Sequence, residues 1–240
     1  MEEAGKARSG PHGGSGGRMS YSLDFSVVVD RLPELLLASL ATIGLAIAGM
    51  SLATVIGVLG VVARRSRFKL LRGLVIGFVE VIRNTPFLVQ IFFIFFALPQ
   101  IGIRLSPTVT AIIALALNGG AYAIEIIRGG VDSVPKGQVE AGLALGLHRA
   151  QIFRHIILKP ALRAVYPSLT SQFIMLTLTT SVCTSIAAYE LTSVAQKIEA
   201  DTFRSFEVYF SITLMYLAIS ALMMGVFALV SRISFSYPVK

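Results

Sequence analysis

The chain has 240 residues and a formal net charge of +8. Hydrophobic residues make up 55% of it and charged residues only 14%, against about 25% charged in soluble proteins. That balance excludes a water-facing globular surface and makes the bilayer the expected solvent, while the lone Cys183 excludes a disulfide framework and a cysteine-based zinc site.

Residues 1–17 are polar and glycine-rich, and residues 1–18 read as a disordered tail or a linker, with Met19 as a second start. This stretch is no secretory signal, because the first apolar run begins only at Leu32 and is too long for one. Residues 19–240 read as a single domain. A membrane helix needs about 20 mostly apolar residues. Residues 35–63 and 208–230 meet that need without a charge. Residues 109–127 meet it apart from Glu125, and residues 166–188 meet it although they are rich in Thr and Ser. Residues 73–98 contain Glu80, Arg83 and Pro86, and their strongly apolar part, 87–98, is short. Either one kinked span crosses here, or an interfacial helix turns inward at Asn84-Thr85-Pro86, where the residue before proline disfavours the α region. The expected fold is an all-α membrane protein with five transmembrane helices.

Arginine and lysine set the orientation of such a chain. Residues 63–72 carry Arg64, Arg65, Arg67, Lys69 and Arg72 and no acid. Residues 128–163 carry Arg128, Lys136, Arg149, Arg154, Lys159 and Arg163 against Asp132 and Glu140. By contrast, 99–106 holds only Arg104, and 189–207 holds Lys197 and Arg204 against Glu190, Glu199, Asp201 and Glu207. The two basic loops are therefore expected in the cytoplasm, the N-terminus outside and the C-terminus inside. Topology accounts for the positive charge; membrane lipid is the expected surrounding, and no nucleic-acid partner is needed.

Glu80, Arg83 and Glu125 are the charges lying well inside apolar sequence, with Arg128 at a border. An intramembrane charge is costly unless paired or hydrated and is a functional candidate by default. Glu80 with Arg83, and Glu125 with Arg128, also share the i, i+3 spacing of mutually neutralising pairs. Both readings stay open. Gly44, Gly49, Gly57 and Gly60, with alanines between, read as close helix packing. Asn118-Gly119-Gly120 interrupts the third apolar run and suggests an unwound stretch lining a cavity. Thr177, Thr179, Thr180, Ser181, Thr184 and Ser185 are dense for a span. Some of these hydroxyls satisfy their own i−4 carbonyls, and their density suits a water-lined or interhelical surface. His12, His148 and His155 are too scattered for a metal site, and none is expected.

Residues 140–160, EAGLALGLHRAQIFRHIILKP, are basic and helix-forming yet lie between apolar segments. They read as two short helices with a turn near residues 146–148, inside an internal loop of about residues 132–163. Pro135 suits a helix start, with Asp132 or Ser133 as its cap and Glu140 in the first turn. Val139, Leu143 and Leu147 form one apolar stripe, and Ala141, Gly142, Ala144 and Gly146 keep the element thin enough to enter a groove on another protein. Ile152, Phe153, Ile156 and Ile157 form a second stripe suited to packing on the membrane domain. A DNA-reading helix-turn-helix is excluded, because both ends run into membrane spans.

This segment resembles the coupling loop of ATP-binding-cassette import permeases, where a Glu-Ala-Ala triplet and a following Gly dock on the ATPase subunit. Arg83-Asn84-Thr85-Pro86 with the following FLVQIFFIFFALP resembles a block of the permeases for polar amino acids. Asn118-Gly119-Gly120-Ala121-Tyr122, Glu125-Ile126 and Arg128-Gly129-Gly130 resemble their third-span signature. SVPKGQ at 133–138 leads into the coupling loop as it does in that family. Gly142 departs from the usual second Ala, and Leu158-Lys159-Pro160 departs from Leu-Pro and is expected to shift the helix exit. The resemblance implies a type I importer permease in the bacterial inner membrane, passing a polar or charged amino acid from an extracytoplasmic binding protein. It implies a second permease subunit, identical or paralogous, and two ATP-binding subunits. No GxxxxGK[ST] phosphate loop occurs in the chain, so ATP and Mg are expected on those partners and no enzyme activity here. The resemblance makes Glu140, Ala141, Gly142 and Gly146 the ATPase-coupling candidates. Arg83, Asn84, Gln90, Asn118, Tyr122, Glu125, Thr177 and Ser181 are the substrate-pathway candidates. The rival reading is an ion-coupled secondary transporter or channel that uses Glu80, Arg83 and Glu125 directly.

Overall fold

A computed structural model describes residues 22–234; the expected tail at residues 1–18 lies outside them. The regular structure among the described residues is helical throughout. In chain order it comprises α1 (Ser26–Val29), α2 (Leu32–Arg64), α3 (Lys69–Arg83), α4 (Phe87–Gln100), α5 (Pro107–Asp132), α6 (Lys136–Ala144) and α7 (Arg149–Ile152). A π turn (Phe153–Ile157), α8 (Leu158–Thr179), a 3-10 helix (Thr180–Ile186), α9 (Leu191–Thr202) and α10 (Ser205–Ser234) follow. Four stretches are long and apolar enough to cross a membrane: Leu32–Arg64, Pro107–Asp132, Arg149–Ile186 and Ser205–Ser234. A fifth crossing is formed only if α3 and α4 count as one broken span, for they meet at 113°.

The bend has a local cause. Pro86 has no N–H, so the Ile82 carbonyl cannot be satisfied within a continued helix. Gln90 supplies the missing donor: its Nε2 donates to the Ile82 carbonyl (2.7 Å), the Thr85 carbonyl (3.0 Å) and Thr85 Oγ1 (2.9 Å). The break is therefore capped from one turn ahead, and backbone polarity at a low-dielectric depth stays satisfied.

α2 and α5 form the spine. In lipid, close packing rather than water exclusion holds helices together, and small residues make that approach. A Cβ added to Gly57 would lie 2.7 Å from the Ala123 Cβ, and one added to Gly120 would lie 2.6 Å from the Ile56 Cγ2. Gly49 and Gly60 meet Leu115 and Ile124 in the same way, while Gly44 meets nothing. The expected unwinding at Asn118–Gly120 does not occur; α5 is unbroken there, because Gly119 and Gly120 are spent on contact with α2.

Three packed layers succeed one another along α2. Leu35 and Ala38 join α9 and the start of α10. Leu45, Met50 and Ala53 join Ile91 of α4, Ala114 and Leu115 of α5, Leu176 of α8 and Cys183. Val61 joins Val79 of α3 and Ile124 of α5. The Thr/Ser run bonds its own backbone as foreseen: Thr177 donates to the Phe173 carbonyl (2.9 Å) and Thr179 to the Met175 carbonyl (2.8 Å). From Thr180 onward the backbone acceptors lie three residues back, as in Ser181 to Leu178 and Ser185 to Val182, matching the tighter 3-10 winding there, while Thr184 donates to Gln196 Oε1 (3.2 Å).

The loop between α5 and α8 departs from expectation in several ways. Neither Asp132 nor Ser133 caps α6; Asp132 ends α5, and Pro135 precedes α6 without a side-chain cap. Glu140 consequently sits beyond the first turn. No helix exit lies at Leu158-Lys159-Pro160, since the helix continues through Pro160, and the π turn that precedes it widens the winding around the Ile156 carbonyl, with which the proline ring would otherwise clash.

Candidate functional site

The coupling candidates share one short element. α6 ends on Gly146, whose φ of +76° is left-handed. Gly146 N–H donates to the Leu143 carbonyl (2.9 Å) and Leu147 N–H to the Gly142 carbonyl (3.1 Å), the paired bonds of a Schellman C-cap. Gly146 is needed for its backbone, since a side chain there would meet open space. His148 then opens α7 with a reciprocal cap: Gln151 N–H donates to His148 Nδ1 and His148 N–H to Gln151 Oε1. Glu140, Ala141 and Ala144 are exposed, and so are Leu143 at 54% and Leu145 at 80%. Gly142 is the exception. It is buried, and a Cβ there would lie 2.6 Å from Ile156 Cδ1 and 3.2 Å from Ile152 Cγ1. The second apolar stripe therefore packs on α6 itself, and Gly142 serves that seam rather than thinness toward a partner. Leu145, at the C-cap, belongs to the outward face and was outside the expected stripe.

The pathway candidates fall into separate groups. Arg83, Asn84, Gln90, Asn118 and Tyr122 converge at the α3–α4 bend. Asn118 Nδ2 donates to Gln90 Oε1 (2.9 Å), tying α5 to the bend. The Arg83 guanidinium lies 5.3 Å from the centre of the Tyr122 ring, a cation–π distance. The expected Glu80–Arg83 pair is not formed; Glu80 accepts from Asn84 Nδ2 (3.2 Å), and Arg83 lies over the Tyr122 ring.

Glu125 stands apart, at the basic end of the spine. It pairs with Arg64 of α2 and, at 2.6 Å, with Arg128. Arg128 reaches on to Asp132 (3.3 Å), which also takes Arg65 (2.6 Å). The Arg128 partner follows from the i, i+3 spacing. Arg64 was missed, because it is 61 residues away in sequence. Thr177 is fully buried inside the bundle, whereas Ser181, one turn on, is partly open.

The model of the family described as "binding-protein-dependent transport system inner membrane component" matches residues 56–233. The chain belongs to this family. It is 38% identical over 199 residues to the glutamine transport system permease protein GlnP of Escherichia coli (strain K12), covering 82% of this chain and 91% of that protein. It is 42% identical over 160 residues to the L-cystine transport system permease protein TcyB of Bacillus subtilis (strain 168), covering 66% of this chain and 68% of that protein. A solved amino acid ABC transporter chain superposes with a TM-score of 0.83 at 29% identity, covering 88% of this chain and 99% of that one. The fold is thus that of a type I ABC importer permease, and the ion-coupled reading is set aside.

Two acids of this permease escaped sequence reasoning. Glu190 and Glu207 were counted as charges of an outer loop, yet both are fully buried. Glu190 Oε1 accepts from the Ser193 N–H (2.6 Å) and Oε2 from the Tyr216 hydroxyl (2.8 Å). Ser193 Oγ answers by accepting from the Glu190 N–H (2.9 Å), and the next N–H, of Leu191, donates to Thr42 Oγ1 of α2 (3.0 Å). Burial pushes the Glu190 carboxyl above the usual carboxylate range, opposed by these hydrogen bonds. Glu207 accepts from the Asp24 N–H (3.0 Å) and lies 3.4 Å from Arg204. The Glu-x-x-Ser spacing at the start of α9, a reversed capping box, was the signal that could have found Glu190.

Between α8 and α10 lies a cavity of about 470 Å³, with Ser181, Thr213, Tyr216 and Ser220 as its polar walls. The buried Ser220 hydroxyl has no hydrogen-bond partner among the described residues.

Proposed function

We propose that this permease translocates a polar or charged amino acid, delivered by an extracytoplasmic binding protein, into the cytoplasm. ATP hydrolysis in two partner subunits drives the step, and a second permease subunit, identical or paralogous, completes the pathway. The relatives named for glutamine and cystine transport support the substrate class. One observation supports the coupling role: a short helix and its C-cap present Glu140, Leu143 and Leu145 outward while Gly142 seats the helix on Ile152 of α7 and Ile156 of the π turn. Such an element receives force on one face and passes it on through the other.

Arg83 is the candidate for the substrate carboxylate. It is exposed, forms no ion pair among the described residues, and is held in place only by the Tyr122 ring. Gln90 and Asn118 set the bend behind it. Ser181 and Ser220 supply the polar wall of a path between α8 and α10, and Thr177 supports that wall from within. The basic end of α2 faces the cytoplasm, which sets the N-terminus outside and the C-terminus inside.

Gly146→Trp and Glu140→Lys are expected to cut ATP-driven uptake by roughly tenfold or more while the protein still inserts, and Gly146→Asn, which tolerates the left-handed region, to cost less. Normal uptake by Gly146→Trp with intact ATPase stimulation would remove this loop from the mechanism. Competition by a panel of unlabelled amino acids against labelled glutamine identifies the substrate, and Arg83→Gln should raise KM with little change in basal ATPase activity. In a Cys183→Ser background, cysteines at Ser66 and Gln151 should react with an impermeant thiol reagent only from the cytoplasm, and those at Ser106 and Ala200 only from outside. The reverse pattern overturns the orientation.

A further inference from the structure

The positive charge at the end of α2 exceeds what its ion pairs use. Arg64, Arg65, Arg72 and Arg128 converge with Asp132 on a cavity of about 230 Å³. Their carboxylate partners are Glu125 and Asp132. Four guanidinium groups thus face two carboxylates, and two positive charges remain. Arg72 is exposed and makes no ion pair or hydrogen bond through its side chain among the described residues.

A second cavity, of about 340 Å³, opens about one turn deeper on the same three helices. It runs between Leu59 and Ala63 of α2, Leu74 and Phe78 of α3, and Ile124 of α5, with no polar side chain on its walls. The linings of the two cavities interleave along α2, with Gly60 and Ala63 on the furrow and Val61 and Arg64 on the basic cavity. The furrow is open and apolar, and in a membrane the filler that suits such a surface is a hydrocarbon chain. A free anion has no use for the apolar furrow, and a zwitterionic lipid has little use for two surplus charges.

We infer that the paired cavities hold one anionic phospholipid, its phosphate among Arg64, Arg72 and Arg128 and one acyl chain in the furrow between α2 and α3. The lipid fills a gap that the protein leaves at the seam of its spine with α3. Its phosphate also offsets one of the two charges that the Glu125 network leaves over. Anionic headgroups attract each nearby arginine by an amount equivalent to roughly fivefold in affinity.

Native mass spectrometry tests this on the assembled importer purified from membranes and exchanged into detergent with equal phosphatidylglycerol and phosphatidylcholine. Phosphatidylglycerol should be retained preferentially, by tenfold or more. Arg72→Gln, which breaks no internal contact, should lower that retention roughly fivefold. Leu74→Trp should lower it as well by filling the furrow from an exposed position. Equal retention of the two lipids, or unchanged retention in both variants, overturns the inference. So does displacement of the lipid by 10 mM inorganic phosphate, which would make the arginines a site for a free anion. Lipid retention is read without transport, so its failure leaves the importer assignment standing.

Discussion

Two carboxylates are withdrawn from water against opposite ends of α2, and they are neutralised by different chemistry. Glu125 sits at the Arg64 end, within reach of two arginines and still 19% exposed. Glu190 sits at the Thr42 end, fully buried, and is met by an amide N–H and a tyrosine hydroxyl with no cation among its hydrogen-bond partners. The first is a charge balanced by charge, open to screening at a headgroup-like depth. The second is a polar group balanced by fixed dipoles, which cost little reorganisation but leave orphans if the acid is removed. The two ends should therefore fail differently.

The largest effect is expected at the Glu190 end. Glu190→Ala deprives the Ser193 N–H and the Tyr216 hydroxyl of their acceptor and should destabilise the detergent-solubilised protein by about 3 kcal/mol, read as a lowered unfolding midpoint. Glu190→Gln keeps an acceptor and should recover most of it. A loss under 1 kcal/mol in Glu190→Ala would show that water replaces the acid, and the contrast between the ends would collapse.

Glu125→Gln should cost less, about 1–2 kcal/mol, because Arg64 and Arg128 retain access to water. Adding Arg64→Gln should restore part of the loss. Additive losses in the double variant would instead mean that Glu125 and Arg64 are not coupled.

A smaller effect separates the ends by pH. A carboxyl raised by burial contributes stability that is fully present below the ordinary value near pH ~4.3 and is lost as pH rises through the raised one. The unfolding midpoint should fall over that window, and Glu190→Gln should flatten the fall. A slope that persists in Glu190→Gln assigns it to another group.

The smallest concerns Asp132, whose pair with Arg65 is 49% exposed on both sides. Asp132→Asn should shift stability by no more than about 0.5 kcal/mol, and less in high salt. A larger loss would make Asp132 part of the Glu125 network in energy as well as in space.

Apolar runs of sufficient length make α2, α5, α8 and α10 legible, and Pro86 makes the break after α3 legible. The bend angle was not, since it depends on Gln90 reaching back to carbonyls that only a broken helix exposes. Gly119-Gly120 misled because a glycine pair either loosens a helix or lets a neighbour in; Ile56 of α2 decides, and sequence does not say what stands opposite. Glu190 and Glu207 misled because loop charges were counted as solvated, whereas Tyr216 and Asp24 arrive from 26 and 183 residues away. Of the loop between α5 and α8, the turn at Gly146 was readable from residue types, whereas the expected second short helix is the start of a helix that runs on unbroken into α8. The inward duty of Gly142 was not readable, since it is fixed by Ile152 and Ile156 folding back.

The close seat of Val165 over Gly130 has a mechanical consequence. The helical rod from Arg149 to Thr179 is about 45 Å long at 1.5 Å per residue, and this seat divides it into arms of about 24 Å and about 21 Å. If the rod turns as one body about this seat, a push of a few ångströms on α6, delivered through Ile152, would return at the Thr/Ser end with similar size and opposite sense. Gly130→Val would wedge the pivot apart, and spin-label distances from Gln151 and from Ser181 to a fixed site on α2 should then cease to change in opposite directions between nucleotide-free and ATP-bound importer.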